Sequence, residues 1–149
     1  MEKGFNTGDF GSPEAIMMYA VQTDTMRRMN LTPMEAALPR RAARARRFWF
    51  EKDRLLCLGA GVLMTKALGI RNEEEIRYGK NGKPFLPGGP AFNLSHSGEW
   101  CVLATGGMKA VGVDIEEINL AQIDLAPAVY TNAEQRWMAG DPMNRFFRL

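Results

Sequence analysis

The chain has 149 residues, of which 46% are apolar and 24% are charged, and its formal net charge is +2 at pH 7. This composition fits one compact domain or a piece of a larger protein, and it excludes collagen-like, fibrous and disordered chains. The longest uncharged apolar stretch, residues 55–65, is about half as long as a membrane-spanning helix. Cys57 and Cys101 lack the spacing of a metal site or a disulfide framework. We therefore expect a cytoplasmic protein with reduced core thiols and no membrane partner.

The first half of the chain predicts one strand followed by helices. Residues 1–14 have no hydrophobic periodicity, and we expect a loose N-terminal leader there. Gly69 is placed to end the last of the predicted helices. The elements expected here are a strand at 16–21, a turn-rich linker bracketed by Pro33 and Pro39, a helix from Arg40 that is interrupted at 48–50, and a helix from Lys52 to Leu68.

After Gly69 the hydrophobic period changes from that of a helix to two, which predicts strands. The pair Asn81-Gly82 is a strong signal for a hairpin turn. Thr131 and Glu134 have the spacing of a capping box, and Asp141-Pro142 predicts the start of a further helix. The elements expected are strands at 76–78, 84–86, 92–96, 100–104 and 111–116, and a helix that begins after Thr131 and ends near Gly140.

These elements together predict an α+β fold with a mainly antiparallel sheet packed against the helix from Lys52 to Leu68. The last residues, which include Phe146, Phe147 and Leu149, form an apolar element that is too short to be stable without a partner surface. An exposed apolar patch of this kind favours a homodimer or association with a separate polypeptide.

Charge is unevenly placed along the chain. Residues 40–54 contain seven basic and two acidic side chains, and acidic side chains outnumber basic ones after residue 110. This distribution is typical of a protein that binds a polyanion with one part and a cation with another, although a solvated helix face explains the basic segment equally well. Residues 48–50 are aromatic. We expect these rings to pack in the core rather than to stack on a nucleic acid.

Asp114 and Glu116 are the first candidate ligands for a metal. In a strand, side chains two residues apart share one face, and their α-carbons are about 7 Å apart. Two carboxylates leave room for water and phosphate oxygens around a cation, which is how Mg²⁺ is commonly held at phosphoryl sites. The alternative is a polar strand face without a metal.

The segment Ser95-His96-Ser97-Gly98 contains the only histidine of the chain. A serine nucleophile with a histidine base is excluded, because adjacent strand residues point to opposite faces and no Gly-x-Ser-x-Gly motif is present. Hydroxyls, backbone amides and an imidazole at the end of a strand suit an anion such as phosphate. A turn whose serines bond their own backbone is the alternative. Lys83, after the hairpin turn, is a further candidate for holding a phosphate.

Taken together, these motifs resemble those of the two-half, surfactin-synthetase-activating type of the 4′-phosphopantetheinyl transferase superfamily. The resemblance covers about residues 16–149. The most specific part is the pair Asn-x-Ser-His-Ser-Gly and Gly-x-Asp-x-Glu, separated by about 20 residues. The motifs that carry it are Arg46-Arg47-Phe48 with Asp53-Arg54, Gly82-Lys83-Pro84, Phe92-Asn93-Leu94-Ser95-His96-Ser97-Gly98 and Gly112-Val113-Asp114-Ile115-Glu116.

The resemblance implies an enzyme that transfers the phosphopantetheine arm of coenzyme A to a serine of an acyl or peptidyl carrier protein, using Mg²⁺. It implies a first phosphopantetheinyl-transferase-like half at residues 15–107 and the truncated beginning of a second half at 108–149. The implied metal ligands are Asp114 and Glu116, and the implied catalytic set adds His96 and Glu134. The implied coenzyme contacts are Arg41, Arg44, Arg54, Gly82, Lys83, Pro84, Asn93, Ser95 and His96.

The sequence departs from the family in one respect. The Trp-x-x-Lys-Glu motif, which supplies a third carboxylate and a lysine, is expected directly after Leu149 and does not occur in the chain. We therefore expect impaired transfer by this chain alone. Two other functions stay open: a non-enzymatic half that binds coenzyme A or a partner, and a nucleic-acid-binding module that uses residues 40–54. The nucleic-acid-binding module is the least favoured, because it rests only on charge and aromatic residues, and we expect no nucleic-acid partner.

Overall fold

A computed structural model describes residues 15–107, 110–118 and 126–141. The chain divides into two compact units, the first ending at Ile115 and the second beginning at Glu116. The predicted leader at 1–14 and the predicted helix after Asp141 lie outside the described residues.

The first unit contains a three-stranded antiparallel sheet. Its strands are β1 (Ile16–Gln22), β4 (Phe92–Ser97) and β5 (Trp100–Gly106), in the order β1-β5-β4. Leu103 of β5 lies opposite Tyr19 on one side and Leu94 on the other. Strands β2 (Arg77–Tyr78) and β3 (Pro84–Phe85) form a separate short hairpin between β1 and β4 in the chain.

The helices of this unit are α1 (Thr23–Arg28), α2 (Thr32–Ala37), α3 (Pro39–Ala45) and α4 (Glu51–Ala67), and a 3₁₀ turn follows at Glu73–Glu75. Helix α4 packs on the sheet through Gly59, where a Cβ atom would lie 3.2 Å from Val21 Cγ1 and 3.6 Å from Cys101 Cβ. Leu63, Met64 and Leu103 are almost completely buried in the resulting core. The α+β class and the antiparallel sheet predicted from the sequence are confirmed.

The predicted linker between Pro33 and Pro39 is wrong, because α2 and the start of α3 occupy it. Both prolines lie in the first turn of a helix, where a missing backbone N–H costs no hydrogen bond. The N-terminus of α3 is capped from a distant part of the chain: Glu73 accepts hydrogen bonds from the backbone N–H groups of Arg40 (2.7 Å) and Arg41 (3.2 Å).

The expectation that the aromatic rings of residues 48–50 pack in the core is wrong for two of the three. Trp49 is 88% exposed and Phe50 is 67% exposed, whereas Phe48 is half-buried. The turn between α3 and α4 is held by Arg54, which donates hydrogen bonds to the carbonyl oxygens of Phe48 and Trp49, both at 3.2 Å. This backbone contact, and not burial of the rings, orders the turn.

The hairpin predicted from Asn81-Gly82 is present. Gly82 has a φ of 73°, a conformation that glycine adopts without strain. Its N–H donates to the carbonyl oxygen of Gly79 at 2.9 Å, and the N–H of Gly79 donates to the carbonyl oxygen of Lys83 at 2.9 Å. Lys83 therefore stands where the chain leaves the turn and enters β3.

The strand predicted at 111–116 is wrong, since residues 110–118 contain no strand or helix. The backbone N–H groups of Val113 and Ile115 donate to side chains instead of to a neighbouring strand. Exposure still alternates with a period of two: Val111 is buried, Gly112 and Asp114 are exposed, and Val113 and Ile115 are half-buried. The alternating sequence pattern thus correctly predicts which side chains of this segment face inward. The backbone hydrogen bonds to a neighbouring strand that it also predicts are not found among the described residues.

The second unit is described at residues 116–118 and 126–141 and contains helices α5 (Ala126–Val129) and α6 (Asn132–Met138). The capping box predicted for Thr131 and Glu134 is present at the start of α6. Among the described residues of both units, no helix combines the length and apolar character needed to cross a bilayer.

Gly106 is the glycine whose replacement we expect to damage the fold most. It has a φ of 135°, and a Cβ atom there would overlap the carbonyl oxygen of Ala15. Because both the backbone conformation and the steric overlap oppose a side chain, we expect Gly106→Ala to lower the free energy of unfolding by about 3 kcal/mol. Chemical denaturation measures this loss.

Two other glycines provide matched controls for Gly106→Ala. Gly69 has a φ of 67° but open space around it, so Gly69→Ala should cost only the conformational part, about 1 kcal/mol. Gly79 lacks a positive φ and has room for a Cβ atom, so its replacement should have a smaller effect still. Equal losses for Gly106→Ala and Gly69→Ala would contradict the steric argument.

Candidate functional site

The candidate site lies on the face of β4 that is turned away from α4. Phe92 and Leu94 pack into the core beneath the helix, so the intervening side chains Asn93 and Ser95 belong to the opposite face. There they bind the segment 111–115. Val113 N–H donates to Asn93 Oδ1 at 2.9 Å, and Ile115 N–H donates to Ser95 Oγ at 3.2 Å.

Ser95 also reaches the carboxylate of Asp114. Its hydroxyl donates to Asp114 Oδ1 at 2.8 Å while its oxygen accepts the N–H of Ile115. The Asp114 side chain is exposed, and its second oxygen, Oδ2, makes no hydrogen bond within the part of the chain that the structure describes. One carboxylate oxygen is therefore held in place, and the other is accessible to a ligand.

Lys83 joins the same group of residues. Its ammonium donates to the carbonyl oxygen of Val111 at 3.1 Å, which ties the hairpin to the start of the segment 111–115. The structure thus brings together three of the residues that the sequence predicted for the site, Asn93, Ser95 and Asp114, and it links Lys83 to the start of the same segment.

His96 is separated from this group. It is exposed, and its cross-strand partner is Cys101, on the face of the sheet that contacts α4. Arg41 lies towards the same face: its guanidinium donates to the carbonyl oxygen of Cys57 at 3.3 Å. Burial raises the pKa of the Cys101 thiol to about 11, and the positive charge of Arg41 opposes that rise. Ser95 and His96 therefore do not share one face, as a common phosphate site would need.

The other predicted coenzyme contacts occupy varied positions. Arg44 is exposed, and no hydrogen bond or ion pair of its side chain occurs among the residues described. Arg54 uses its guanidinium for the carbonyl oxygens of Phe48 and Trp49. Gly82 lies in the hairpin turn, and Pro84 opens β3.

Glu134 lies in the second unit, where its carboxylate is engaged in the capping box. Its Oε2 accepts hydrogen bonds from the backbone N–H and the hydroxyl of Thr131, both at 2.7 Å. These bonds favour the charged form and lower the pKa of the Glu134 carboxyl. A lowered pKa makes this carboxylate a weaker proton acceptor. Glu116, also in the second unit, is exposed.

The donor set was tested for its fit to Mg²⁺. Within residues 15–107, 110–118 and 126–141, no group of three or more His, Cys, Asp or Glu side chains could enclose a metal ion. Mg²⁺ does not require such a group, because it retains water and takes phosphate oxygens as further ligands. Asp114 Oδ2, which accepts no hydrogen bond from the described residues, suits that kind of weakly held, hard cation.

The backbone contacts of Asn93 and Ser95 were not anticipated from the sequence. The available signal was the spacing of an amide and a hydroxyl side chain two residues apart on a strand, which puts both on one face. That spacing matches the spacing of Val113 and Ile115, whose N–H groups they accept.

Comparison with known proteins identifies relatives over part of the chain. A phosphopantetheinyl transferase of Thraustochytrium sp. is 43% identical over 81 residues, which are 48% of this chain and 28% of that protein. A 4′-phosphopantetheinyl transferase of Bacillus subtilis is 33% identical over 109 residues, 68% of this chain and 48% of that protein. The transferase gsp of Aneurinibacillus migulanus is 37% identical over 83 residues, 54% of this chain and 34% of that protein.

No protein-family model matches the chain. The matched stretch covers less than half the length of each of the three relatives. The resemblance inferred from the motifs is nevertheless confirmed by these alignments: the chain is a relative of the 4′-phosphopantetheinyl transferases, a group of transferase enzymes, and corresponds to part of their length.

The pKa of Glu134 and the pH dependence of stability test the role of the capping box at the start of α6. Thr131→Ala removes the hydroxyl that contributes most to the lowered pKa of Glu134, so that pKa should rise towards its ordinary value. A carboxyl with a lowered pKa stabilises the fold above its ordinary pKa, and this stabilisation is lost as the pH falls through the lowered value. The variant should therefore lose less stability between neutral and acidic pH than the unaltered chain.

Carbon-detected NMR titration of the Glu134 carboxyl measures this shift directly. Thr131→Ser is the matched control, because it keeps a hydroxyl at the cap and should leave the pKa of Glu134 low. An unchanged pKa in Thr131→Ala would contradict the assignment of the shift to the threonine hydroxyl.

Proposed function

We propose that the chain takes part in the Mg²⁺-dependent transfer of the 4′-phosphopantetheine group from coenzyme A to a serine of an acyl or peptidyl carrier protein. The proposal rests on the activity for which the relatives are named, together with one structural observation. That observation is the fixed carboxylate of Asp114, which has one oxygen bound by Ser95 and the other accessible. Since the matched part covers less than half of the relatives, the chain is proposed to supply part of the catalytic apparatus.

Within this proposal, Asp114 and Glu116 are the metal ligands. Bound there, Mg²⁺ would neutralise charge on the pyrophosphate of coenzyme A. Ser95 keeps the Asp114 carboxylate oriented, and the backbone of 111–115 keeps it beside β4. Glu134 is proposed as a catalytic carboxylate, and its lowered pKa suits an ionised group better than a strong base.

The phosphates of coenzyme A are proposed to bind two groups of side chains. Lys83 donates one of its three N–H groups to the carbonyl of Val111, which leaves two for a phosphate or ribose oxygen. Arg41 and Arg44 are proposed for the 3′-phosphate, and His96 is proposed as a contact of the coenzyme phosphates. Arg41 and His96 lie towards the face of the sheet that contacts α4. The remaining residues proposed to contact coenzyme A are Gly82, Pro84 and Arg54. We also propose that the protein is located in the cytoplasm.

Isothermal calorimetry of coenzyme A binding tests the metal part of this proposal. In the presence of Mg²⁺, Asp114→Asn should weaken binding by about tenfold or more, the effect typical of losing support for a metal site. With Mg²⁺ removed by a chelator, the variant and the unaltered chain should bind equally. Glu117→Gln is the matched control, since it removes a neighbouring carboxylate that is not a proposed ligand.

The transfer itself is measured by the mass increase of a carrier protein incubated with the chain, coenzyme A and Mg²⁺. Loading that is lost in Asp114→Asn and kept in Glu117→Gln would support the proposal. Coenzyme A binding that is identical in Asp114→Asn and the unaltered chain, with and without Mg²⁺, would contradict the metal site.

A second candidate function, binding of single-stranded nucleic acid, is favoured by one observation: Trp49 and Phe50 are exposed and closely follow the exposed Arg44 and Arg47 in the chain. Exposed aromatic rings among arginines can stack on bases while the cations bind phosphates. Glu51 and Asp53 follow directly in the chain and oppose a polyanion at the same place. The first proposal is therefore preferred.

Fluorescence anisotropy with a labelled single-stranded oligonucleotide distinguishes the two candidates. If the proposed transferase function is the correct one, the oligonucleotide should bind weakly, and Trp49→Ala should leave that binding unchanged. Binding that Trp49→Ala reduces, that needs no Mg²⁺ and that weakens by about tenfold or more between roughly 50 and 200 mM salt would favour the second candidate.

A further inference from the structure

We propose that Asn93 and Ser95 are positioning residues that dock the segment 111–115 onto β4, and that Ser95 is not a ligand of the coenzyme phosphates. The sequence placed both residues among the coenzyme contacts. The structure instead engages them with the backbone of the segment that carries Asp114. The inference concerns the docking of this segment and holds whether or not the chain is a transferase.

The Ser95 hydroxyl has a limited hydrogen-bonding capacity. A hydroxyl has one hydrogen to donate, and Ser95 donates it to Asp114 Oδ1 at 2.8 Å. Its oxygen accepts the N–H of Ile115 at 3.2 Å. An ionised phosphate oxygen can only accept hydrogen bonds, so Ser95 has no hydrogen left for a phosphate while it holds Asp114.

The segment 111–115 pairs with no strand among the described residues. Residues 110–118 form no strand, so their N–H groups need other acceptors or water. Asn93 Oδ1 and Ser95 Oγ supply acceptors at the same spacing of two residues as the N–H groups of Val113 and Ile115. Two side chains of β4 thus accept the two hydrogen bonds that backbone carbonyl groups of a neighbouring strand would accept in a sheet.

The docking of the segment also holds the carboxylate of Asp114. Because Ile115 and Asp114 are bound by the same hydroxyl, the backbone and the carboxylate are held together. Removing Ser95 would release both, whereas removing Asn93 would release Val113 and leave the Asp114 carboxylate bonded. The two residues therefore differ in the effect that their loss should have on a cation at Asp114.

Amide hydrogen exchange followed by NMR tests the docking residue by residue. Asn93→Ala should speed exchange at Val113 by about tenfold or more with a smaller change at Ile115, and Ser95→Ala should give the reverse pattern. Asn93→Asp and Ser95→Thr keep the accepting oxygen and should retain protection. Asn30→Ala is the matched control. Within the part of the chain that the structure describes, the Asn30 side chain accepts only from the nearby Thr32 N–H, so its removal should change exchange at neither amide.

A second measurement separates positioning from phosphate binding. Paramagnetic Mn²⁺, used alone without a nucleotide, should bind less tightly to Ser95→Ala than to the unaltered chain, and Ser95→Thr should restore its affinity. Binding of 3′,5′-ADP in the presence of a chelator should be unchanged in Ser95→Ala.

The inference is overturned if Ser95→Ala weakens metal-free binding of 3′,5′-ADP while Ile115 stays protected, because Ser95 would then act as a phosphate ligand. It is also overturned if neither amide responds to its own variant. Failure of the proposed function gives a different result: the unaltered chain would bind neither Mn²⁺ nor 3′,5′-ADP, while the crossed exchange pattern at Val113 and Ile115 would persist.

Discussion

The packing of α4 against one face of the sheet is the constraint on which the arrangement of the site depends. Gly59 lets the helix approach Val21 and Cys101 closely, and the side chains beneath it form the core. Once α4 occupies that face, every strand residue is assigned to the helix side or to the opposite side. On β4 this assignment divides Phe92, Leu94 and His96 from Asn93 and Ser95.

This division determines which role each residue of the motif around His96 can have. From the linear sequence alone, Asn-x-Ser-His predicts one compact set of phosphate-binding groups. In three dimensions, the amide and hydroxyl hold the segment with Asp114, and the imidazole lies on the other face. Two functions, docking of a carboxylate and recognition of an anion, can thus be carried by adjacent residues of one strand without competing for space.

Side chains rather than a backbone ladder connect the segment 111–115 to the rest of the first unit. Lys83, Asn93 and Ser95 each contribute one contact to its backbone. Asn93 and Ser95 therefore have fewer hydrogen bonds left to make with a ligand, because each side chain can donate and accept only a limited number of hydrogen bonds. In return, this arrangement fixes one oxygen of Asp114 and leaves the other accessible.

The sequence by itself determined the α+β class, the strands β1, β4 and β5, the hairpin at Gly82 and the capping box at Thr131, because these depend on local periodicity and turn chemistry. It also carried the family resemblance. Only the tertiary structure decided that Trp49 and Phe50 are exposed and that 111–116 is not a strand. It also decided that Ser95 binds Asp114. Each of these depends on which distant groups supply burial or a hydrogen-bond partner, and a local pattern contains no information on that choice.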